Sequence, residues 1–282
     1  MLFRKFLFTS LFFCLCSAAI AQSAVNRKSG IQILTSGGQI AEELFIKLVN
    51  DPNAKVVFIP TAASSLRSQN KIIWNPDQEE NRNEFQAEML KRFKLNQITM
   101  LHTRNRKVAD SEEFIKPLRE AEAVWISGGN PGRFTSVYLG TKVEKELKAL
   151  LKRGGIIAGE SAGAIVQGSY TIRGNPDKPV LMVKGSEKGL GILKDVAINP
   201  HLTGAKRENE LVTIIDKYPK LLGIGIDDDT GLMVKDGIGE VFGTGKVAIY
   251  DNKKHKSGWY YWLKAGDKFD FNKRTPINII PD

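Results

Sequence analysis

The chain has 282 residues and two cysteines, Cys14 and Cys16, both within its first twenty positions. A disulfide framework, a cysteine-ligated metal and a thiol nucleophile are therefore excluded from any product that lacks that segment. The formal charge is +10, but lysines are dispersed, as at Lys142, Lys145, Lys148 and Lys152, so a solvated surface is expected and no nucleic-acid partner.

Arg4 and Lys5 precede an apolar run over residues 6–20, and Ala19-Ile20-Ala21 supplies a small-x-small site ahead of Gln22. This order predicts a secretory signal peptide over residues 1–21, because the apolar core is shorter than the ~20 residues that span a bilayer. A secreted or periplasmic location follows, with no membrane attachment after cleavage. Loss of Arg4 and Lys5 takes the formal charge from +10 to +8. Residues 22–282, about 260 in number, contain no repeat and no Pro/Gly/Ser linker and suit one domain.

Buried strands are predicted at residues 30–34, 55–59, 98–102, 123–126 and 155–158, where β-branched apolar runs end in turn residues. Helical periodicity falls between them, at residues 40–50, 81–93, 111–120 and 142–152. The alternation predicts an α/β fold with a doubly wound, mostly parallel sheet. Residues 175–179 and 185–191 read as loops. Strand-like runs at 231–234, 246–249 and 258–263 predict a mixed C-terminal extension of that sheet.

The chemistry concentrates where the strand at 155–158 runs into Gly159-Glu160-Ser161-Ala162-Gly163. A Gly-x-Ser-x-Gly turn between strand and helix holds a serine in a strained conformation with its hydroxyl above the sheet. Ser161 is accordingly the predicted nucleophile. The helix that follows would present the Ala162 N–H to a developing oxyanion. A second glycine pair, in Ser127-Gly128-Gly129-Asn130, ends another strand. In a doubly wound sheet both turns lie at the carboxyl ends of strands, where ligands bind, so the Gly129 N–H is the second oxyanion candidate.

A serine hydroxyl needs an imidazole to accept its proton, and only three histidines exist. His255 sits among lysines in Lys253-Lys254-His255-Lys256 and is expected in a surface turn. His102 ends a strand and is expected to pack structurally. His201, on a loop stiffened by Pro200, is the predicted base. The carboxylate that would hold its tautomer is open among Asp227, Asp228, Asp229 and Asp177. No His/Asp/Glu grouping has metal-ligand spacing, so neither metal nor cofactor is expected.

The elbow, the Ser127-Gly128-Gly129-Asn130 turn, His201 and Gly225-Ile226-Asp227-Asp228 stand in the order found in the S51 peptidases, which this chain resembles from about Ile31 to Ile249. Cyanophycinase and aspartyl dipeptidase belong to that family. The resemblance implies a class I glutamine-amidotransferase-like fold with Ser161 as nucleophile, His201 as base and Asp228 as orienting acid, or Asp177 if the chain follows the dipeptidase branch. It implies a peptide or cyanophycin-like substrate contacted by Asn130 and Arg207, with β-Asp-Arg release from cyanophycin as one outcome. Glu210 stands where the histidine loop of cyanophycinases carries cations, which would penalise a substrate carboxylate nearby. An α-aspartyl dipeptidase and a non-catalytic envelope binding protein are the alternative functions. A homodimer is allowed by the sequence and not required by it.

Overall fold

The structure, a computed structural model, describes residues 29–279 apart from 68–72, 176, 179, 257 and 278; the predicted signal peptide lies outside the described residues. The chain enters through β1 (Ile31–Thr35), α1 (Gln39–Val49), β2 (Val56–Ile59), β3 (Leu66–Arg67), β4 (Ile73–Trp74), α2 (Arg82–Phe93) and β5 (Ile98–Met100). It continues through α3 (Arg106–Ala109), α4 (Glu112–Glu120), β6 (Ala123–Ile126), α5 (Pro131–Tyr138), α6 (Lys142–Lys152), β7 (Ile156–Glu160) and α7 (Ala162–Ile165). Then come β8 (Gly168–Tyr170), β9 (Leu193–Pro200), α8 (Glu210–Lys217), β10 (Leu222–Ile226) and β11 (Thr230–Lys235). The chain closes with β12 (Ile238–Gly243), β13 (Lys246–Tyr250), β14 (Tyr261–Lys264), β15 (Lys268–Asp270) and β16 (Thr275–Ile277).

The main sheet has nine strands in the order β16-β15-β12-β11-β1-β7-β6-β2-β5. Its β1-β7-β6-β2-β5 half is parallel, as the alternation of strands and helices predicts. Alternate residues of these strands point to opposite faces and meet two different cores. Val57, Ile59, Val124, Ile126 and Ile157 pack with α4, α5 and α6, whereas Val56, Phe58, Trp125, Ile156 and Ala158 pack with α1 and α2. The sheet is therefore wound on both sides.

The C-terminal expectation holds for one run and fails for two. Residues 231–234 join the main sheet as part of β11, antiparallel to β1. The Asp236-Gly237 turn, both residues at positive φ, then folds β12 back beside it in a tight hairpin. The free edge of β12 is taken by β15 and β16, and residues 246–249 and 258–263 pair elsewhere. They build a second, five-stranded sheet, ordered β14-β13-β10-β9-β8, in which β9 runs parallel to β10. The two sheets face each other across a core that includes Leu34, Ile198, Ile224, Leu232, Val247 and Phe269. Helix α8, unread in the sequence, covers the outer face of the second sheet with Leu211, Ile214 and Ile215.

Candidate active site

Ser161 follows β7 with φ 51° and ψ −110°, a region costly for a residue with a side chain, at about 1–3 kcal/mol. The surroundings impose this turn. A Cβ on Gly159 would lie 2.1 Å from the Gly163 carbonyl oxygen, and one on Gly163 would lie 2.2 Å from that of Ile126. Only glycines let strand, elbow and β6 approach this closely. The Ser161 N–H donates to the Thr35 carbonyl at 2.8 Å, which ties the elbow to the end of β1.

Pairing between the strands of the second sheet delivers the other two groups. Pro200 and Ile226 are register partners in the parallel β9-β10 pair, so the residues that follow them emerge at one end, side by side. His201 Nδ1 lies 2.5 Å from Asp228 Oδ1, and His201 Nε2 lies 3.1 Å from Ser161 Oγ. With Nδ1–H donating to the carboxylate, Nε2 is left to accept the serine hydroxyl proton. The side chains of His201 and Asp228 are 36% and 54% exposed, so this end of the relay is open to solvent.

The remaining acids are elsewhere. Asp227 is buried and accepts the Thr203 and Lys246 N–H groups at 3.1 Å each, a role in holding loops. Asp229 sits at φ 49° beside Gly38. Asp177 is exposed in its turn, where its N–H donates to Asn175 Oδ1. Among the described residues no group of three metal-ligating side chains occurs.

Gly129 has φ 132°, and a Cβ there would lie 2.2 Å from the Ala62 carbonyl, the same oxygen that accepts the Asn130 N–H at 2.8 Å. A Cβ on the adjacent Gly128 would meet Ser161 Cβ at 3.2 Å, so the two predicted turns abut. Helix α7 is only four residues long, which limits any macrodipole. Stabilisation of an oxyanion here would rest on the individual Gly129 and Ala162 N–H groups.

Neither proposed substrate contact lines the cavity that holds Ser161 and His201. The Asn130 side chain caps α5, accepting from the Gly132 N–H at 2.8 Å. Arg207 donates to the Pro200 carbonyl at 3.3 Å, under the histidine loop. Glu210 does not act as a bare acid, because Arg173 pairs with it at 2.6 Å and Asn199 donates to it at 2.9 Å.

Four contributors were not read from the sequence. The buried Ser36 hydroxyl accepts the His201 N–H at 3.1 Å and donates to the Ile226 carbonyl at 2.9 Å. Its signal was present, since Ser36-Gly37-Gly38 repeats the Ser-Gly-Gly of residues 127–129 at another strand end. Arg104 donates to the Ala63 carbonyl at 2.9 Å and to that of Thr61, bracing the segment against which Gly129 folds. Arg173 neutralises Glu210, and Glu160 is the fourth.

His102 bridges Thr61 and Asp77, at 3.0 and 3.1 Å, and burial pushes its pKa down, in keeping with a packing role. His255 occupies a turn as expected, but it is largely buried, with its ring against Tyr261 and Nε2 2.8 Å from Asp251.

Two predictions arise here. Ser36→Ala leaves the His201 N–H without its acceptor and should cost about 1–3 kcal/mol of stability, readable as a lower urea midpoint at unchanged slope. The second concerns Glu160, whose pKa burial pushes up while Arg92 pulls it the other way. The folded chain then holds that proton more tightly than the unfolded chain. Glu160's stabilising contribution is complete below the ordinary glutamate range and is lost as pH rises through the raised value. Glu160→Gln should therefore gain on the wild type in melting temperature as pH rises from the ordinary glutamate range through the raised value.

The cleft beside Ser161 has a volume of about 420 Å³ and is lined by Ser127, Gly128, Gly129, Glu160 and His201 among others. Another, of about 270 Å³, lies at the opposite ends of the strands around Ala121 and Gly155, away from this chemistry.

The likenesses to known proteins agree with this architecture. A cyanophycinase of Trichormus variabilis is 30% identical over 203 residues, covering 65% of this chain and 68% of the relative. A peptidase E of Nostoc sp. is 27% identical over 172 residues, covering 58% and 67%. In fold, the crystal structure of a peptidase from an acI-B1 Actinobacterium superposes with a TM-score of 0.64 at 23% identity, over 87% of this chain and 98% of the other. The profile of peptidase family S51 matches residues 32–241, most of the sequence and the whole of the site, and the chain belongs to that family.

Proposed function

We propose that the chain is an exported serine-type exopeptidase that hydrolyses Asp-containing or β-aspartyl peptide bonds on a class I glutamine-amidotransferase-like fold. The observation that carries this is the continuous hydrogen-bonded file Asp228, His201, Ser161 at the edge of an open cavity. In the reaction, His201 Nε2 takes the Ser161 proton as Oγ attacks the scissile carbonyl carbon. Asp228 holds the ring and favours the imidazolium that forms. The carbonyl oxygen, now an anion, accepts hydrogen bonds from the Gly129 and Ala162 N–H groups. Collapse of the tetrahedral adduct expels the amine, which leaves with the proton from His201, and water releases the acyl group by the same steps in reverse order.

The aspartyl preference is what the resemblance to the S51 peptidases implies, and the relatives named cyanophycinase and peptidase E support the family. The relatives named peptidase E also sustain the second reading, an α-aspartyl dipeptidase. A fluorophosphonate probe should label the wild type and not Ser161→Ala; absence of labelling in both would favour a binding protein without turnover. β-Asp-Arg release from cyanophycin, set against cleavage of Asp-X dipeptides, then separates the two substrates. For export, the mature protein recovered from the cell envelope or medium should begin at Gln22 by mass spectrometry, as the Ala19-Ile20-Ala21 site requires.

A further inference from the structure

Glu160 ends β7, and the period of that strand turns its side chain to the face of Ile156 and Ala158, toward α1 and α2. There the cavity that holds Ser161 is walled by Phe58, Phe85 and Trp125 and contains two carboxylates, Glu42 and Glu160. Against them stands one interior guanidinium, Arg92. Its Nε donates to Glu42 Oε2 at 2.6 Å and its Nη2 to Glu42 Oε1, a two-point pairing with a side chain that is itself buried. Glu160 forms no ion pair among the described residues, and Trp125 lines the same cavity beside it. Arg67, the other cation at the cavity, is exposed at its rim.

Of the two carboxylates in this cavity, Glu42 is paired with Arg92 and Glu160 has no ion-pair partner among the described residues. An uncompensated carboxylate out of water is costly, and either a proton or an incoming cation relieves it. Aromatic walls favour the second solution, because ring faces attract cations. Glu160 is also bonded directly to Ser161, so a group it grips belongs to the residue whose carbonyl the serine attacks, or to its immediate neighbour.

From these positions we infer that Glu160 determines specificity by accepting a cationic nitrogen of the substrate, either the free α-ammonium or a guanidinium or ammonium side chain. The inference rests on the hydrolase reading and adds the charge of the substrate to it. It assigns Glu160 to binding and leaves the Asp228–His201–Ser161 file as described.

Binding to the Ser161→Ala protein, measured by calorimetry, tests this without turnover. Asp-Arg carries both cations, Asp-citrulline keeps only the α-ammonium, and N-acetyl-Asp-Arg keeps only the guanidinium. Removing the cation that Glu160 grips should weaken binding by about 30-fold or more, and the arm that weakens identifies which nitrogen it is. Glu160→Gln in the same background should bind the charged and neutral ligands alike, while Glu160→Asp should keep part of the preference. Equal affinity across all three ligands, binding of none, or a preference that survives Glu160→Gln would overturn the assignment. Failure of the serine-hydrolase reading would show instead in the fluorophosphonate experiment, which involves no substrate cation.

Discussion

Ser161→Ala should lower peptide turnover by about six orders of magnitude, the scale found when the nucleophile of a serine–histidine pair is removed. The alanine keeps the strained turn, because Gly159 and Gly163 impose it, and it keeps the cavity. Substrate affinity should therefore change little while kcat collapses. Since the two side chains act through one proton transfer, the Ser161→Ala/His201→Ala double variant should be no worse than either single one. Single-turnover rates with purified proteins decide the matter; a double variant slower by the product of the two single losses would show that the residues act independently.

The second large effect belongs to Asp228. Asp228→Asn keeps size and position but replaces the acceptor facing His201 Nδ1 with an amide that can present N–H instead. The imidazole then favours the tautomer in which Nε2 bears the proton and cannot accept one from Ser161. A fall in kcat of about 10⁴-fold is expected. Asp177→Asn, in an exposed turn, should be indistinguishable from wild type, as should any change there that keeps the loop. Comparable losses in the two variants would mean that the His201–Asp228 contact at 2.5 Å has no part in the chemistry.

How much of this could be read from the sequence follows the range of the interactions involved. The elbow was legible because its requirement is local: strand, two glycines and a serine lie within a few consecutive residues. His201 was legible through scarcity, as one of three histidines, two of them in unpromising surroundings. The choice among Asp177, Asp227, Asp228 and Asp229 was not open to inspection, because it depends on the register between β9 and β10, strands that meet only after α8 is threaded between them.

The second sheet was missed for a related reason. Strand β9 begins with Leu193, Lys194 and Asp195 and shows an apolar run only from Val196, so half of it looks like loop. Glu160 illustrates the same limit at one residue. As the variable position of a motif it carries no local message, and its setting appears only when α1 and α2 bring Glu42, Arg92 and the aromatic side chains to that face.

Ser161, the proposed nucleophile, is carried by the nine-stranded sheet, while His201 and Asp228 are carried by the five-stranded one. Catalytic competence is thereby a readout of how the two layers seat against each other. Mild denaturant or heat that lets them slip by an ångström or so should silence the enzyme before circular dichroism registers any loss of strand or helix, with recovery on dilution. Substitutions at Leu34, Ile198 or Leu232, which do not line the Ser161 cavity, would then be felt first as lost rate.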